Sequence, residues 1–222
     1  MSVLCYFGKT GSGKSHKAKE KIKEYKKRII FDITPSKSFR FGKEKDGGIE
    51  CKNGIEHNNY SLRSLEELLV ELIEKDEFTL IFRPSTEIDW FAIGEAVCSF
   101  AMRLGDYYDK DFNENIVLVL DELDKYVSTT KQSFIARAIG MGRHSHLDLF
   151  CISQVPSQLP KVIRDNASVE HFFQLGLNDY YQKKLGDEIS NKLASGDLPE
   201  YSYYLKVDGD NPKLYNKNGK LL

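Results

Sequence analysis

Residues 3–15 read Val3-Leu4-Cys5-Tyr6-Phe7-Gly8-Lys9-Thr10-Gly11-Ser12-Gly13-Lys14-Ser15, which is an apolar run followed by a G-x-x-x-x-G-K-S loop. A helix-forming segment follows the loop. The glycines let the backbone turn tightly, so that its N–H groups and the positive end of the helix point at phosphate oxygens. Lys14 is placed to reach the terminal phosphates, and the Ser15 hydroxyl is placed to bind Mg²⁺. The sequence predicts a nucleotide site made of Gly8, Lys9, Thr10, Gly11, Ser12, Gly13, Lys14 and Ser15.

Composition sets broad limits on the class of protein. The chain has 222 residues, 41% of them apolar and 12% aromatic, which is enough for one well-packed α/β domain. The formal net charge of −1 gives no sign of a nucleic-acid binder, although a local basic patch is compatible with it. No apolar run approaches the roughly 20 residues that a membrane helix needs, and there is no signal-peptide pattern. We expect a cytoplasmic protein that does not itself span a membrane.

Strand and helix patterns alternate along the chain. After the run at 3–7, strands are predicted over 28–33, 78–83, 116–120, 147–152 and 171–175. Helices are predicted over 14–28, 64–75 (from a Ser64/Glu67 capping box), 88–104, 131–140, 159–164 and 179–193, with a loop over 36–60. This alternation predicts an α/β fold, a mostly parallel central sheet with helices on both faces and ligands at the carboxyl ends of its strands. The tail reads as a β-hairpin, so we assign 1–198 to a P-loop ATPase domain and 199–222 to a C-terminal β-hairpin extension of the same domain.

A pair of carboxylates follows the most apolar strand. Asp121 and Glu122 come directly after Ile116-Val117-Leu118-Val119-Leu120, the pattern of a central parallel strand that is covered on both faces. A carboxylate at that point is suited to hold Mg²⁺ opposite Ser15, so we predict Ser15 and Asp121 as the metal residues. Glu122 is placed to polarise a water molecule for attack on the γ-phosphate. Such a carboxylate favours ATP hydrolysis over phosphoryl transfer to a small molecule.

A further polar residue ends the next predicted strand. Gln154 follows Leu149-Phe150-Cys151-Ile152-Ser153, where its amide would reach the attacking water or a phosphate oxygen. The predicted strand 78–83 lies between the loop and Asp121-Glu122 in sequence, which matches the P-loop NTPases of the additional-strand, catalytic-glutamate type. We therefore predict Lys14, Glu122 and Gln154 as catalytic residues.

The order of these motifs resembles a known superfamily. Over roughly residues 1–175, the chain is similar to the FtsK-HerA superfamily of DNA-pumping ATPases. The similarity rests on the loop 8–15, the strand and carboxylates 117–122, Arg143 with the pair Ser153-Gln154 that ends eleven residues later, and Ile163-Arg164-Asp165-Asn166. Within it, the chain looks most like the genome-packaging ATPases of tailless viruses with an internal membrane. The stretch 142–154 is equally similar to the zonular occludens toxin-like ATPases of filamentous phage assembly, which usually carry a transmembrane helix.

The resemblance implies partners and a further catalytic residue. Members act as homo-oligomeric rings, commonly hexamers, in which an arginine of one subunit completes the ATP site of its neighbour. Arg143 is the first candidate for that role, ahead of Arg137 and Arg164. The resemblance also implies double-stranded DNA as the cargo, ATP and Mg²⁺ as cofactors, capsid or membrane-vertex proteins as possible partners, and a place in the host cytoplasm or in the virion.

Three functions follow, and each predicts a different observation. A DNA translocase predicts ATP hydrolysis that duplex DNA stimulates. A phage assembly ATPase predicts a capsid or membrane protein partner without DNA stimulation. A small-molecule kinase needs an acceptor pocket and a mobile lid, and the sequence shows no motif for either.

Overall fold

The computed structural model describes residues 2–34, 62–73, 75–83, 89–108, 115–127, 134–141, 145–176 and 179–222. Eight strands lie at β1 Val3–Phe7, β2 Lys27–Phe31, β3 Phe78–Phe82, β4 Ile116–Leu120, β5 Leu147–Ser153, β6 Val169–Phe172, β7 Tyr203–Val207 and β8 Lys213–Tyr215. Seven helices lie at α1 Lys14–Ile22, α2 Leu62–Ile73, α3 Trp90–Tyr107, α4 Phe134–Met141, α5 Lys161–Asn166, α6 Asp179–Leu185 and α7 Asp187–Ser195. The predicted loop 36–60 lies outside the described residues.

All eight strands form one sheet in the order β3-β2-β4-β5-β1-β6-β7-β8. The pairings from β3 to β6 are parallel, whereas β7 pairs antiparallel with β6 and with β8. The mostly parallel sheet is therefore confirmed, and the C-terminal hairpin continues it at one edge. Because the carboxyl ends of parallel strands share one edge of a sheet, the segments that follow β1, β2, β4 and β5 come together there.

Alternate residues of the strands point into two separate cores. On β1, Val3, Cys5 and Phe7 face the larger core, whereas Leu4 and Tyr6 face the smaller one. Among the described helices, α2 to α7 contribute buried residues to the larger core and α1 contributes to the smaller. Both faces of the sheet are thus covered, which explains why the central strands β1 and β4 have no charged residue and are buried at every position.

The first helix is shorter than predicted. It ends at Ile22, and the basic residues Lys27 and Arg28 belong to the buried strand β2. The Lys27 ammonium lies 3.6 Å from the centroid of the Tyr108 ring. The Arg28 guanidinium donates to the backbone carbonyl of Ile22 and to the Thr79 hydroxyl at 3.2 and 3.1 Å. These partners offset the cost of burying the charges, so the prediction that the helix extends through these two residues to 28 was wrong.

Two other helix predictions need correction. The predicted helix over 179–193 is broken into α6 and α7 by Gly186, whose φ of 83° is incompatible with a continuous helix. The helix predicted to start at the Ser64 capping box begins earlier, so that Ser64 lies inside α2. The spacing of apolar residues along the sequence thus predicted helical structure in both regions, but it did not predict where the helices begin and end.

Replacing His171 by Phe is expected to make folding less sensitive to acid. The buried His171 ring stacks on Tyr6 at a centroid distance of 4.4 Å. Burial, and then the nearby Lys17 ammonium, lower the pKa of His171 to about 3. In the unfolded chain, histidine takes up a proton near pH 6.5, whereas in the folded protein His171 stays neutral down to its pKa of about 3. Between these two pH values, His171 therefore lowers the free energy of unfolding by about 1.4 kcal/mol for each unit by which the pH falls.

Urea unfolding between about pH 7 and about pH 4 measures this effect, because it spans the pKa of unfolded histidine. The His171→Phe variant should lose less stability on acidification than the wild type. His16→Phe is the matched control, since the His16 side chain is 79% exposed. Parallel pH curves for wild type and His171→Phe would contradict the prediction.

Candidate nucleotide site

The glycine-rich loop connects the end of β1 to the start of α1. The backbone N–H of Gly8 donates to Ser153 and that of Lys9 to Gln174, at 3.2 and 2.9 Å, so the first half of the loop is anchored to the strand ends beside it. A Cβ atom on Gly8 would lie 2.3 Å from the Ser12 Oγ and is excluded. Gly13 caps α1 with a φ of 98°, which favours glycine. The N–H groups at the start of α1 have no partners within the helix.

A cavity of about 500 Å³ opens above the loop. Thr10, Gly11, Gly13, Lys14 and Ser15 line one side. The other side is formed by side chains from the ends of β4 and β5, namely Glu122, Lys125 and Gln154. Five of the eight predicted phosphate-binding residues therefore face the same space as the predicted catalytic residues Glu122 and Gln154, and one of the five is the predicted catalytic Lys14.

Asp121 is buried at the end of β4, with none of its surface exposed. Neither carboxylate oxygen makes a hydrogen bond of normal geometry to a described residue. Burial, and then the neighbouring carboxylates of Asp32 and Glu122, raise the pKa of Asp121 to about 8, against a smaller opposite effect of Lys14. A buried acceptor without a donor is costly, and a cation would offset that cost.

Glu122 is held in place by three side chains. The Lys14 ammonium lies 3.0 Å from Oε1 of Glu122, the Lys125 ammonium lies 3.4 Å from Oε2, and the Gln154 amide donates to Oε2. Burial opposes ionisation of Glu122, but the Lys14 charge and these hydrogen bonds outweigh it and bring its pKa below the usual value. The backbone of Glu122 is left-handed, with a φ of 51°, a strained geometry that is concentrated at functional sites.

Gln154 reaches Glu122 because β5 lies between β1 and β4 in the sheet. The backbone N–H of Gln154 also donates to Oδ1 of Asp124 at 3.0 Å, which fixes the start of the segment after β5. The additional strand, which lies between β1 before the glycine-rich loop and β4 before Asp121, is thus β5. The strand at 78–82, which lies between the two motifs in sequence, forms the far edge of the sheet instead.

The structure adds residues that the sequence did not single out. Asp32, at the end of β2, accepts from the backbone of Thr34 at 3.1 Å and lies 3.5 Å from Nε of Arg83. Lys125 follows Glu122 by three residues in a 3-10 turn, a spacing that brings the two side chains together. Tyr201 reaches the cavity from just before β7. Asp32 could have been predicted, because it is a polar residue directly after a strand, as are Asp121 and Gln154. Tyr201 could not, because it reaches the cavity from a segment that is distant in sequence.

The arginine candidates are not brought to the cavity by the described part of the chain. Arg143 lies outside the described residues. Arg137 is on the exposed side of α4, and the Arg164 guanidinium lies 5.2 Å from the centroid of the Tyr180 ring in its own subunit. The role predicted for Arg143 stays a prediction from the sequence.

A strand, a glycine-rich loop and a helix, with a carboxylate strand two places away in a parallel sheet, define the fold of P-loop NTPases. Comparison with solved structures agrees. The chain is similar to the DNA-packaging ATPase B204 from Sulfolobus turreted icosahedral virus, with 17% identity, 96% of each chain covered and a TM-score of 0.62. It is equally similar to the genome-packaging NTPase B204 from Sulfolobus turreted icosahedral virus 2 in complex with AMPPCP, with 18% identity, the same coverage and a TM-score of 0.62.

A weaker likeness extends to ATPases 2 and 3 of EssC from Geobacillus thermodenitrificans, with 13% identity, a TM-score of 0.53, and 96% of this chain but 38% of that chain covered. No protein-family model matches the sequence, and no curated protein does. At these identities the likeness establishes the fold, and this fold is the one that the resemblance to the FtsK-HerA superfamily implied. Within the described residues, no helix has both the length and the apolar character to cross a membrane.

Proposed function

We propose that this chain is a Mg²⁺-dependent ATPase that moves double-stranded DNA, and that its task is the packaging of a viral genome into a capsid. The observation that carries the hydrolase part is the contact of Glu122 with both Lys14 and Gln154 at the edge of the phosphate-loop cavity. A carboxylate in this place, with an amide beside it, is equipped to orient and deprotonate water. The likeness to B204 over nearly the whole of both chains supports the DNA cargo.

ATP is the nucleotide that the solved relatives favour. B204 was determined in complex with AMPPCP and with ATP-gammaS, both of which are ATP analogues. The loop residues 8–15 would hold the phosphates here, with Lys14 at the terminal phosphates. Gly8 and Lys9 contribute by anchoring the loop, because their N–H groups are already bonded to Ser153 and Gln174.

The residues present fit a magnesium ion. Asp121 offers two buried carboxylate oxygens to which no side chain of the described residues donates, and Ser15 offers a hydroxyl at the start of α1 on the wall of the cavity. Oxygen ligands from a carboxylate, a hydroxyl, water and phosphate are those that Mg²⁺ prefers. When bound, Mg²⁺ would neutralise charge that develops on the phosphate oxygens.

The protein groups divide the work of hydrolysis between them. Lys14 and Glu122 form an ion pair with each other. When phosphate draws the Lys14 ammonium away, Glu122 loses its strongest partner, and its carboxylate becomes a better proton acceptor for the attacking water. Gln154 keeps Glu122 oriented from the neighbouring strand. The fixed backbone of residues 121–122 preserves this geometry without reorganisation.

The ring and its partners are the remaining parts of the proposal. We infer a homo-oligomeric ring, a hexamer by the resemblance, in which Arg143 of one subunit stabilises the transferred phosphoryl group in the next. Contact with the sequence-neutral phosphate backbone of DNA needs few groups from each subunit, because the ring multiplies them. Capsid or membrane-vertex proteins would receive the motor, either in the host cytoplasm or on the virion.

Duplex DNA is expected to stimulate ATP hydrolysis several-fold, and the stimulation should weaken steeply as salt is raised. Contacts to DNA phosphates release counterions, so the apparent DNA affinity falls linearly on logarithmic axes as salt rises. Steady-state ATPase assays with and without duplex DNA over a salt series measure this, and light scattering reports the oligomer. Stimulation absent at every salt concentration, with a monomer throughout, would contradict the translocase.

A phage assembly ATPase of the zonular occludens toxin-like kind is the second candidate, favoured by the similarity of residues 142–154. It predicts ATP hydrolysis that is indifferent to DNA and responds to a capsid or membrane protein. A small-molecule kinase ranks third, because Glu122 beside the cavity favours water as the acceptor.

A further inference from the structure

A second cavity, of about 480 Å³, adjoins the phosphate-loop cavity. It lies between the first two turns of α1, Phe173 and the C-terminal segment 201–218. The two cavities share Gly13, His16 and Tyr201, so together they form one continuous groove. The volume of the second cavity falls within the roughly 300–1,000 Å³ that is usual for small-molecule sites.

We propose that the second cavity is a nucleoside subsite, which takes the adenine and ribose of ATP between Tyr201 and the turn formed by residues 216–219. This inference deepens the proposed function and rests on it. The direction of the nucleotide follows from the groove. Lys14, Glu122 and Gln154 line the first cavity and are absent from the lining of the second. If the terminal phosphates of ATP bind at Lys14 in the first cavity, its nucleoside lies on the far side of His16, in the second cavity.

The aromatic ring of Tyr201 is held at the junction of the two cavities. Its backbone is left-handed, with a φ of 59°, a conformation that a glycine would adopt without strain. The adjoining turn holds it there, since Ser202 donates from its backbone N–H and its hydroxyl to the Pro199 carbonyl at 3.0 and 2.6 Å. A Cβ atom on Gly13 would lie 3.1 Å from Cδ1 of Tyr201, so the ring packs directly on the loop. The side chain is nevertheless 44% exposed, which leaves surface for a base to stack.

The turn at 216–219 supplies the opposite wall and a hydrogen-bonding group. Oδ1 of Asn216 accepts from the backbone N–H groups of Asn218 and Lys220, both at 3.0 Å, which fixes the turn. A Cβ atom on Gly219 would lie 3.6 Å from Nζ of Lys17, so the turn packs against α1. The exposed Asn218 thereby lines the cavity.

The Asn218 amide suits adenine better than guanine. An amide presents one donor and one acceptor side by side. Adenine offers the complementary pair, an amino group next to a ring nitrogen, whereas the corresponding edge of guanine has two acceptors. With the N6/N7 edge of the base turned towards it, Asn218 would therefore favour ATP over GTP, and Tyr201 would stack on either purine.

Isothermal titration calorimetry of the full chain in Mg²⁺ with AMPPCP, GMPPCP and inorganic tripolyphosphate separates the base from the phosphates. Tyr201→Ala should weaken AMPPCP binding about tenfold, the effect of losing one base–aromatic stack, and leave tripolyphosphate binding unchanged. Tyr201→Phe keeps the ring and should bind AMPPCP like the wild type. Asn218→Ala should reduce the preference for AMPPCP over GMPPCP. Tyr107→Ala is the matched control, because Tyr107 is a 64% exposed tyrosine on α3.

Three results would overturn the inference, and they are distinguishable from failure of the proposed function. Equal weakening of AMPPCP and tripolyphosphate by Tyr201→Ala would assign Tyr201 to support of the loop. Wild-type protein that binds tripolyphosphate as tightly as AMPPCP would have no nucleoside subsite, although its phosphate site would stand. Unchanged AMPPCP binding in Tyr201→Ala would also refute the role of the ring. Binding of neither probe to the wild type would remove the ATPase proposal itself. Tyr201→Gly, which relieves the backbone, replaces Tyr201→Ala if that variant does not fold.

Discussion

Glu122→Gln should bind ATP and fail to turn it over, with kcat reduced by roughly 10²- to 10⁴-fold, the usual contribution of a general base. The substitution keeps the shape of the side chain. In the wild type, Gln154 donates to Oε2 of Glu122, and the amide oxygen of the variant can accept the same hydrogen bond. What it removes is the charge that pairs with Lys14 and the ability to take a proton from water. ATP should therefore bind at least as tightly as to the wild type, since the Lys14 ammonium no longer has to leave a carboxylate.

Single-turnover hydrolysis and equilibrium binding of ATP measure the two halves of this prediction separately. Glu188→Gln is the matched control, because Glu188 is an exposed glutamate on α7 that pairs with Lys192 at 2.7 Å. Its turnover should equal that of the wild type. Normal hydrolysis by Glu122→Gln would show that another group activates the water. Loss of ATP binding together with hydrolysis would give Glu122 a structural role in the loop.

Asp121→Asn should separate activity from stability. We expect the Mg²⁺ concentration for half-maximal hydrolysis to rise by roughly 10- to 100-fold, the range found when a supporting group of a metal site is lost. The melting temperature of the ligand-free protein should stay the same or rise. Asp121 is buried, no side chain in the described part of the chain donates to it, and the carboxylates of Asp32 and Glu122 lie nearby. Its charge therefore opposes folding when no cation is present.

Magnesium titrations of ATPase activity and thermal unfolding without ligand test the two parts. Asp165→Asn is the control, since the Asp165 side chain is 58% exposed on α5. A marked fall in the melting temperature of Asp121→Asn would show that the carboxylate stabilises the fold by itself. Unchanged magnesium dependence would remove Asp121 from the metal site.

The sequence was most informative where one local pattern determines the structure. The run 116–120 is a strand at the predicted residues, because a short run of aliphatic side chains, three of them β-branched, suits a strand that is covered on both faces. The glycines and Lys14 of the loop likewise define a strand-loop-helix junction without help from distant residues. Glu122 and Gln154 were predicted separately as groups that act on the attacking water, and they lie close together because ligand-binding side chains gather at the carboxyl ends of parallel strands. The hydrogen bond between them was not predicted.

The missed features depend on contacts between segments that are far apart in sequence. The predicted first helix included Lys27 and Arg28, because the partners that these two residues have in the buried strand β2, Tyr108 and Thr79, are far along the chain. The order of strands could not be taken from their sequence order, so the strand between β1 and β4 was not identified in advance. Tyr201 was read as part of a hairpin, and its place beside Gly13 follows only from the docking of that hairpin onto the sheet.

The position of β1 in the sheet also affects how the protein folds. β1 pairs only with β5 and β6, so that Cys5 lies beside Cys151 and Glu170. A chain that emerges from the ribosome at roughly 5–20 residues per second must therefore carry β1 unpaired until β5 and β6 have been made. Such long-range pairing slows folding, because a large loop has to close before any contact is gained. The glycine-rich loop is synthesised well before β5 and β6, yet we expect it to acquire its shape only after those two strands have paired with β1.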